Sequence, residues 1–291
     1  MAEISAAVVK ALRDRTGAGM MECKKALGDA AGDEARAVEL LRERGLAKAV
    51  KRAGRATSEG TIALATVGPA AGIVELGCET DFVAKTDDFV SVANALARAA
   101  AAHPELKTAD DLLALGEGGR TLRETVQAAS GKLGENVELK RFARLAGGGK
   151  GRAAGYVHAG GRLGVIVSLD TAGSGDALDV LAKDLAMHVA AHDPSPVSID
   201  RDGVPKALLE KESEIFRAQA QKENKPPPVI ERIIEGRLKK FYSEVCLLEQ
   251  AFVKDPDKSV KQLLEDAGKK LGQPIRVTGF VRFKLGETAT E

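Results

Sequence analysis

Along the first 45 residues the apolar positions fall into three short sets at helical spacing, separated by glycines. Ser5 is placed to cap a helix carrying Val8, Val9 and Leu12, which the stretch Thr16-Gly17-Ala18-Gly19 breaks. Met20, Met21, Ala26 and Leu27 form a second apolar face that ends at Gly28. Ala37, Val38, Leu40 and Leu41 form a third between Asp33 and Arg44, before Gly45. Three short helices with glycine turns predict a small bundle of the size of a ubiquitin-associated fold. Residues 46–60 are basic, poor in large apolar side chains and punctuated by Gly and Ser, the composition of a linker with room for some helix.

From Thr61 onward the pattern is duplicated. Thr61–Val67, a Gly/Pro turn and the run from Gly72 to Leu76 read as strand, turn, strand; so do Gly155–His158, Ala159-Gly160-Gly161 and Leu163–Leu169. A helical stretch follows each, Val92–His103 and Leu181–His192, displaced by 89 residues. Gly131–Phe142 then matches Lys269–Phe280 with a displacement of 138, so the second copy has gained 49 residues. Helix-favouring sequence from Val204 to Glu223 and from Val229 to Leu248 flanks Asn224-Lys225 and Pro226-Pro227-Pro228, the pattern of an antiparallel helical hairpin. The predicted fold class is α+β. Residues 1–55 form the bundle and basic linker; 56–146 and 147–291 form two copies of a small antiparallel sheet with packed helices, the second carrying the hairpin at about 203–248.

Composition narrows the partners. Lys plus Arg number 43 against 42 for Asp plus Glu, which leaves no overall electrostatic footprint for nucleic acid or an anionic membrane. Cys23, Cys78 and Cys246 are odd in number, far apart and outside any Cys-x-x-Cys pair, so free thiols in a reducing compartment are expected, and no structural zinc. The start, Met1-Ala2-Glu3-Ile4-Ser5, has neither a basic nor an apolar leader segment, and no uncharged stretch approaches a membrane span. A soluble cytoplasmic protein is expected.

Candidate chemistry is sparse. His188 and His192 stand at i, i+4 on a helix, but no Glu follows the first and no third ligand is placed by spacing, so a structural role is favoured over metal binding. Gly147-Gly148-Gly149-Lys150-Gly151 lacks the Ser or Thr of a phosphate loop and reads as a flexible link between the repeats. No nucleophile with a placed base is present, and no cofactor is expected. Two stretches have double readings. Met20-Met21 is either bundle core, which spacing favours, or a plastic contact for a partner. In Thr80-Asp81-Phe82-Val83, either Thr80 or Asp81 caps a helical turn and Phe82 tucks inward, the plainer account, or Phe82 is an apolar wedge held out for another protein.

Leu12-Arg13-Asp14-Arg15-Thr16-Gly17-Ala18-Gly19-Met20-Met21-Glu22-Cys23-Lys24-Lys25-Ala26-Leu27 and Cys78-Glu79-Thr80-Asp81-Phe82-Val83-Ala84-Lys85 resemble the two signature stretches of the translation elongation factor Ts family. Ala186–Ala191 and Val277–Phe283 resemble later ones, and the similarity runs in order from residue 2 to about 286. The resemblance implies a guanine-nucleotide exchange factor, acting by binding and without catalytic residues, whose partner is elongation factor Tu in its GDP-bound and nucleotide-free states. It implies that Thr80, Asp81, Phe82 and Val83 disturb the Mg²⁺ site of that GTPase. It also implies that the N-terminal bundle docks on the partner, with Leu12, Met20, Met21 and Lys24 as the docking residues. Direct nucleic-acid or membrane binding is not implied, and pairing of two copies is left open. Family members often continue into a further C-terminal helix; here the sequence stops at Glu291, which puts one docking contact in doubt. The rival is a non-catalytic adaptor, or an RNA-binding scaffold using Lys48, Lys51, Arg52 and Arg55.

Overall fold

The computed structural model describes residues 4–221 and 227–287. Helix α1 (Ala6–Thr16) is capped by the Ser5 hydroxyl, which accepts from the Val8 N–H, and it stops at Gly17, in the left-handed region at φ 68°. With α2 (Met20–Asp29) and α3 (Glu34–Arg52) it encloses Val9, Leu12, Cys23, Ala26, Leu27 and Ala37. The third helix does not end at Gly45. It runs on to Arg52, because Gly45 is where α3 meets the core: a Cβ on Gly131 would stand 2.9 Å from the Gly45 Cα. That close packing outweighs the helix cost of a glycine, about 1 kcal/mol. Arg42 pairs with Glu124 at 2.8 Å, and Arg52 donates to the Ser130 carbonyl at 3.1 Å, fixing the same contact.

The first half of the core runs β1 (Glu59–Val67), β2 (Ala70–Cys78), the single turn α4 (Asp81–Ala84), α5 (Asp87–Ala102) and α6 (Ala109–Ala114). The short strands β3 (Gly116–Glu117) and β4 (Arg120–Thr121), helix α7 (Leu122–Leu133) and β5 (Glu138–Ala146) follow. The second half runs β6 (Gly148–Gly149), β7 (Ala153–Val157), β8 (Leu163–Thr171) and α8 (Ala177–Ala191), then the hairpin helices α9 (Lys206–Gln221) and α10 (Pro227–Val245). It closes with β9 (Ala251–Phe252), β10 (Asp255–Ser259), α11 (Val260–Leu271) and β11 (Arg276–Lys284). Strands β1, β2 and β5 form one antiparallel sheet; β7 and β11 pair antiparallel with β8 in the other, and β6 adds a short parallel pairing. The duplication extends to caps. Thr121 with Glu124 and Ser259 with Gln262 form matching capping boxes, and α7 and α11 both end at a left-handed glycine, Gly134 and Gly272.

The sheets lie face to face with helices outside. Val74, Leu76 and Cys78 of β2 point to Phe89, Ala93 and Leu96 of α5, while Ala71 and Ile73 meet Ile62, Ile166 and Phe283 between the sheets. Both faces of β2 are therefore buried, which is why its sequence is an almost unbroken apolar run. The exception is Glu75, 5% exposed between the sheets. Its carboxylate accepts from Arg141 Nε at 2.7 Å and from the Gly286 N–H at 3.1 Å. The Arg141 guanidinium lies 4.2 Å from the Phe283 ring centroid and donates to the Lys284 carbonyl, so this pair ties one half to the other.

Two expectations change. The glycine run is not a loose link: Gly147 and Ala153 donate their N–H groups to the Pro69 carbonyl, Lys150 donates to Thr171, and a Cβ on Gly151 would collide with the Leu169 carbonyl. Its amides are spent on protein carbonyls, as a phosphate cradle's would not be. Asn224, Lys225 and Pro226, read as part of the hairpin tip, lie outside the described residues. Pro227 and Pro228 begin α10, where a missing N–H is tolerated.

Candidate functional site

Strand β2 ends at Cys78, whose thiol is buried and donates to the Thr80 carbonyl at 3.1 Å. Burial, with the nearby Glu135 charge adding to it, pushes that thiol up to about 12, so it serves as a fixed donor and not as a nucleophile. Thr80 caps α4, its hydroxyl accepting from the Val83 N–H at 3.4 Å, as the plainer sequence reading expected. Asp81 pairs with Lys85 one turn on at 2.7 Å, and that hydrogen bond holds its carboxyl below the usual range. Successive helical residues point about 100° apart. With Val83 and Ala84 packed on the first-half core, Phe82 is turned outward. It is 80% exposed, which overturns the inward reading.

Glu135, to which spacing gave no role, anchors this turn. One of its oxygens accepts from the N–H groups of Glu79 and Thr80 at 3.0 Å each, and the other from the Thr80 hydroxyl at 2.6 Å. Glu79 in turn accepts from the Asn136 N–H at 2.7 Å and pairs with Arg55 at 3.4 Å.

The bundle supplies the second surface. Met20 is 44% and Met21 73% exposed, which corrects the core reading. The bundle is already filled by Cys23, Ala26 and Leu27, and first-turn side chains of a helix lean back toward its N-terminus, here over the Gly17–Gly19 turn. Lys24 is exposed beside them. Leu12 is not available: it is 1% exposed and packs in the bundle core with Cys23, Ala26 and Leu27 of α2. Gly17 packs against the Lys132 side chain and Lys132 pairs with Asp88 in the first turn of α5 at 2.8 Å, so the bundle rests on the half of the core that carries Phe82.

The remaining candidates are structural. His188 is fully buried, accepting from the Val253 N–H through Nδ1 at 3.2 Å and contacting Gln250 Oε1 through Nε2 at 2.9 Å, so both ring nitrogens are spent. Burial pushes its imidazole down to about 4, the Gln250 hydrogen bond opposing this and His192 adding repulsion. The unfolded chain, with an ordinary histidine near 6.5, therefore binds a proton that the folded chain refuses between those values, and stability is lost as pH falls through that window. Urea unfolding at pH 5 is expected to give about 2 kcal/mol less stability than at pH 7, and His188→Gln to flatten that difference. Of the four cations of the basic stretch, Lys48 is ion-paired with Glu22 and Arg55 with Glu79, while Arg52 is held on the Ser130 carbonyl. Among the described residues no helix is long and apolar enough to cross a membrane.

Residues 79–287 match the family model described as elongation factor TS. The elongation factor Ts of Clostridium kluyveri is 45% identical over 289 residues, covering 98% of this chain and 93% of that protein. The elongation factor Ts of Maricaulis maris is 45% identical over 293 residues, covering 99% and 93%. That of Chlorobium phaeobacteroides is 45% identical over 293 residues, covering 98% and all of its own length.

Proposed function

The chain belongs to the elongation factor Ts family of translation elongation factors, and from that premise we propose that it binds elongation factor Tu carrying GDP and drives GDP out so that GTP can enter. The observation that carries this reading is Phe82, held outward on a turn whose neighbours are all anchored. Inserted between the helices beside the partner's Mg²⁺ site, it forces them apart. Mg²⁺ tolerates little departure from octahedral geometry, so a small displacement weakens its bridge to the nucleotide phosphates. This chain makes and breaks no bonds. It acts in the cytoplasm by binding alone, and needs no cofactor.

Magnitudes require more than one contact. Burying one Phe side chain contributes about 1.5–3 kcal/mol, and each tenfold gain in release needs about 1.4 kcal/mol, so Phe82 supplies one or two such factors. Met20, Met21 and Lys24 on the bundle, and the second half of the core, supply the remainder through docking. Met21→Ser is expected to weaken the complex about tenfold while leaving the release rate at saturation unchanged, as a titration of the rate separates.

Coupling between the two ligands of the GTPase is reciprocal: whatever factor this protein takes from GDP affinity, GDP takes from its own. Calorimetric titration of nucleotide-free and GDP-saturated elongation factor Tu with this protein tests the reading. Much tighter binding to the nucleotide-free form is expected; equal affinities for the two forms would remove the exchange function and favour a plain adaptor.

A further inference from the structure

We propose that Glu135 is a positioning residue for exchange, holding the Phe82 turn in its outward, insertion-ready orientation; this rests on the exchange reading above. Three donors converge on one carboxylate, the N–H groups of Glu79 and Thr80 and the Thr80 hydroxyl, and all three belong to the two residues that launch α4. Charge-assisted hydrogen bonds of this kind are stronger and geometrically tighter than neutral ones. They fix the residue that caps the turn, and the cap fixes the direction of Phe82.

The duplication supplies a control within the molecule. The position equivalent to Glu135, 138 residues on, is Gln273, and the connection from β8 to α8, residues 172–176, contains no aromatic residue. The second half repeats the strands and the two main helices, α8 for α5 and α11 for α7, with neither the clamp nor a counterpart of α4. The duplicated sheet and main helices therefore form without an acid at this position, and the acid occurs in the half that carries α4 and its wedge. Glu135 sits on the short link between α7 and β5, and the buried neighbour Asn136 holds that link by donating its side-chain N–H to the Arg55 carbonyl at 2.9 Å. The link that carries the clamp is thus held in place by Asn136.

Release of fluorescent GDP from elongation factor Tu, titrated with the full chain, separates the outcomes. Glu135→Ala is expected to lower the saturating rate about tenfold while the half-saturating concentration stays within about twofold, because the exposed docking side chains are untouched. Glu135→Gln keeps an oxygen for the two N–H groups and loses the acceptor for the Thr80 hydroxyl, so it falls between Ala and Glu. In a Phe82→Ala background, Glu135→Ala should change the rate less than about twofold, since its effect passes through Phe82. An unchanged rate for both Glu135 variants overturns the inference. A tenfold loss that persists in the Phe82→Ala background also overturns it, by assigning the effect to the fold. If the unsubstituted protein gives no acceleration, the exchange reading itself fails and this inference with it.

Discussion

Phe82→Ala is expected to reduce the acceleration of GDP release by about one to two orders of magnitude and to leave the thermal unfolding midpoint unchanged. The two halves of that expectation come from one number. A side chain 80% exposed makes almost no packing contribution to its own fold, so truncation should change stability by less than about 0.5 kcal/mol. The same exposure means that most of its apolar surface remains to be buried against a partner. Stopped-flow release of labelled GDP, beside a thermal melt of each protein, reads both. A variant as fast as the unsubstituted protein would make Phe82 an idle surface residue, and one that lost exchange only by unfolding would make it a structural one.

Arg141→Met is expected to destabilise the protein by about 3–5 kcal/mol, because it leaves the buried Glu75 carboxylate without its charged partner. For a chain of 291 residues that loss corresponds to a fall in the unfolding midpoint of about 5–8 °C. The Gly286 N–H remains as an acceptor's partner but carries no compensating charge. Restoring an apolar pair with Glu75→Leu in the Arg141→Met background should recover much of the stability, since a buried ion pair and a well-packed apolar pair are often close in free energy. Urea unfolding of the two variants checks this. A double variant no more stable than Arg141→Met would show that Glu75 matters through something other than its charge. The consequence reaches function, because Arg141 and Glu75 join the half that carries Phe82 to the half that carries the hairpin.

What the sequence disclosed was whatever repeats or obeys a local period. The duplicated sheets were legible because a strand, turn and strand recur with a helix displaced by 89 residues, and Gly131–Phe142 matches Lys269–Phe280. The Thr80 cap was legible because capping is a contact between residues three apart. Features made by distant residues were not. Nothing near Gly45 announces that Gly131 will pack against it, so a glycine that permits helix contact reads as one that ends a helix. Met20 and Met21 continue the apolar period of α2, and only the filled bundle behind them shows that there is no room inside. Glu135 is 55 residues from Thr80, one acid among many, and no spacing rule joins them. Glu75, the one charged residue of the apolar strand β2, finds its partner Arg141 66 residues on, where no local period reaches.

The most direct test of the central claim is the rate at which labelled GDP leaves elongation factor Tu in the presence of excess unlabelled nucleotide, as the concentration of this protein is raised. A rate that climbs and saturates, with amounts of protein well below those of the GTPase sufficient to empty the whole population, is the predicted result. A rate that stays at its spontaneous value at every concentration, with the two proteins still binding, would contradict exchange.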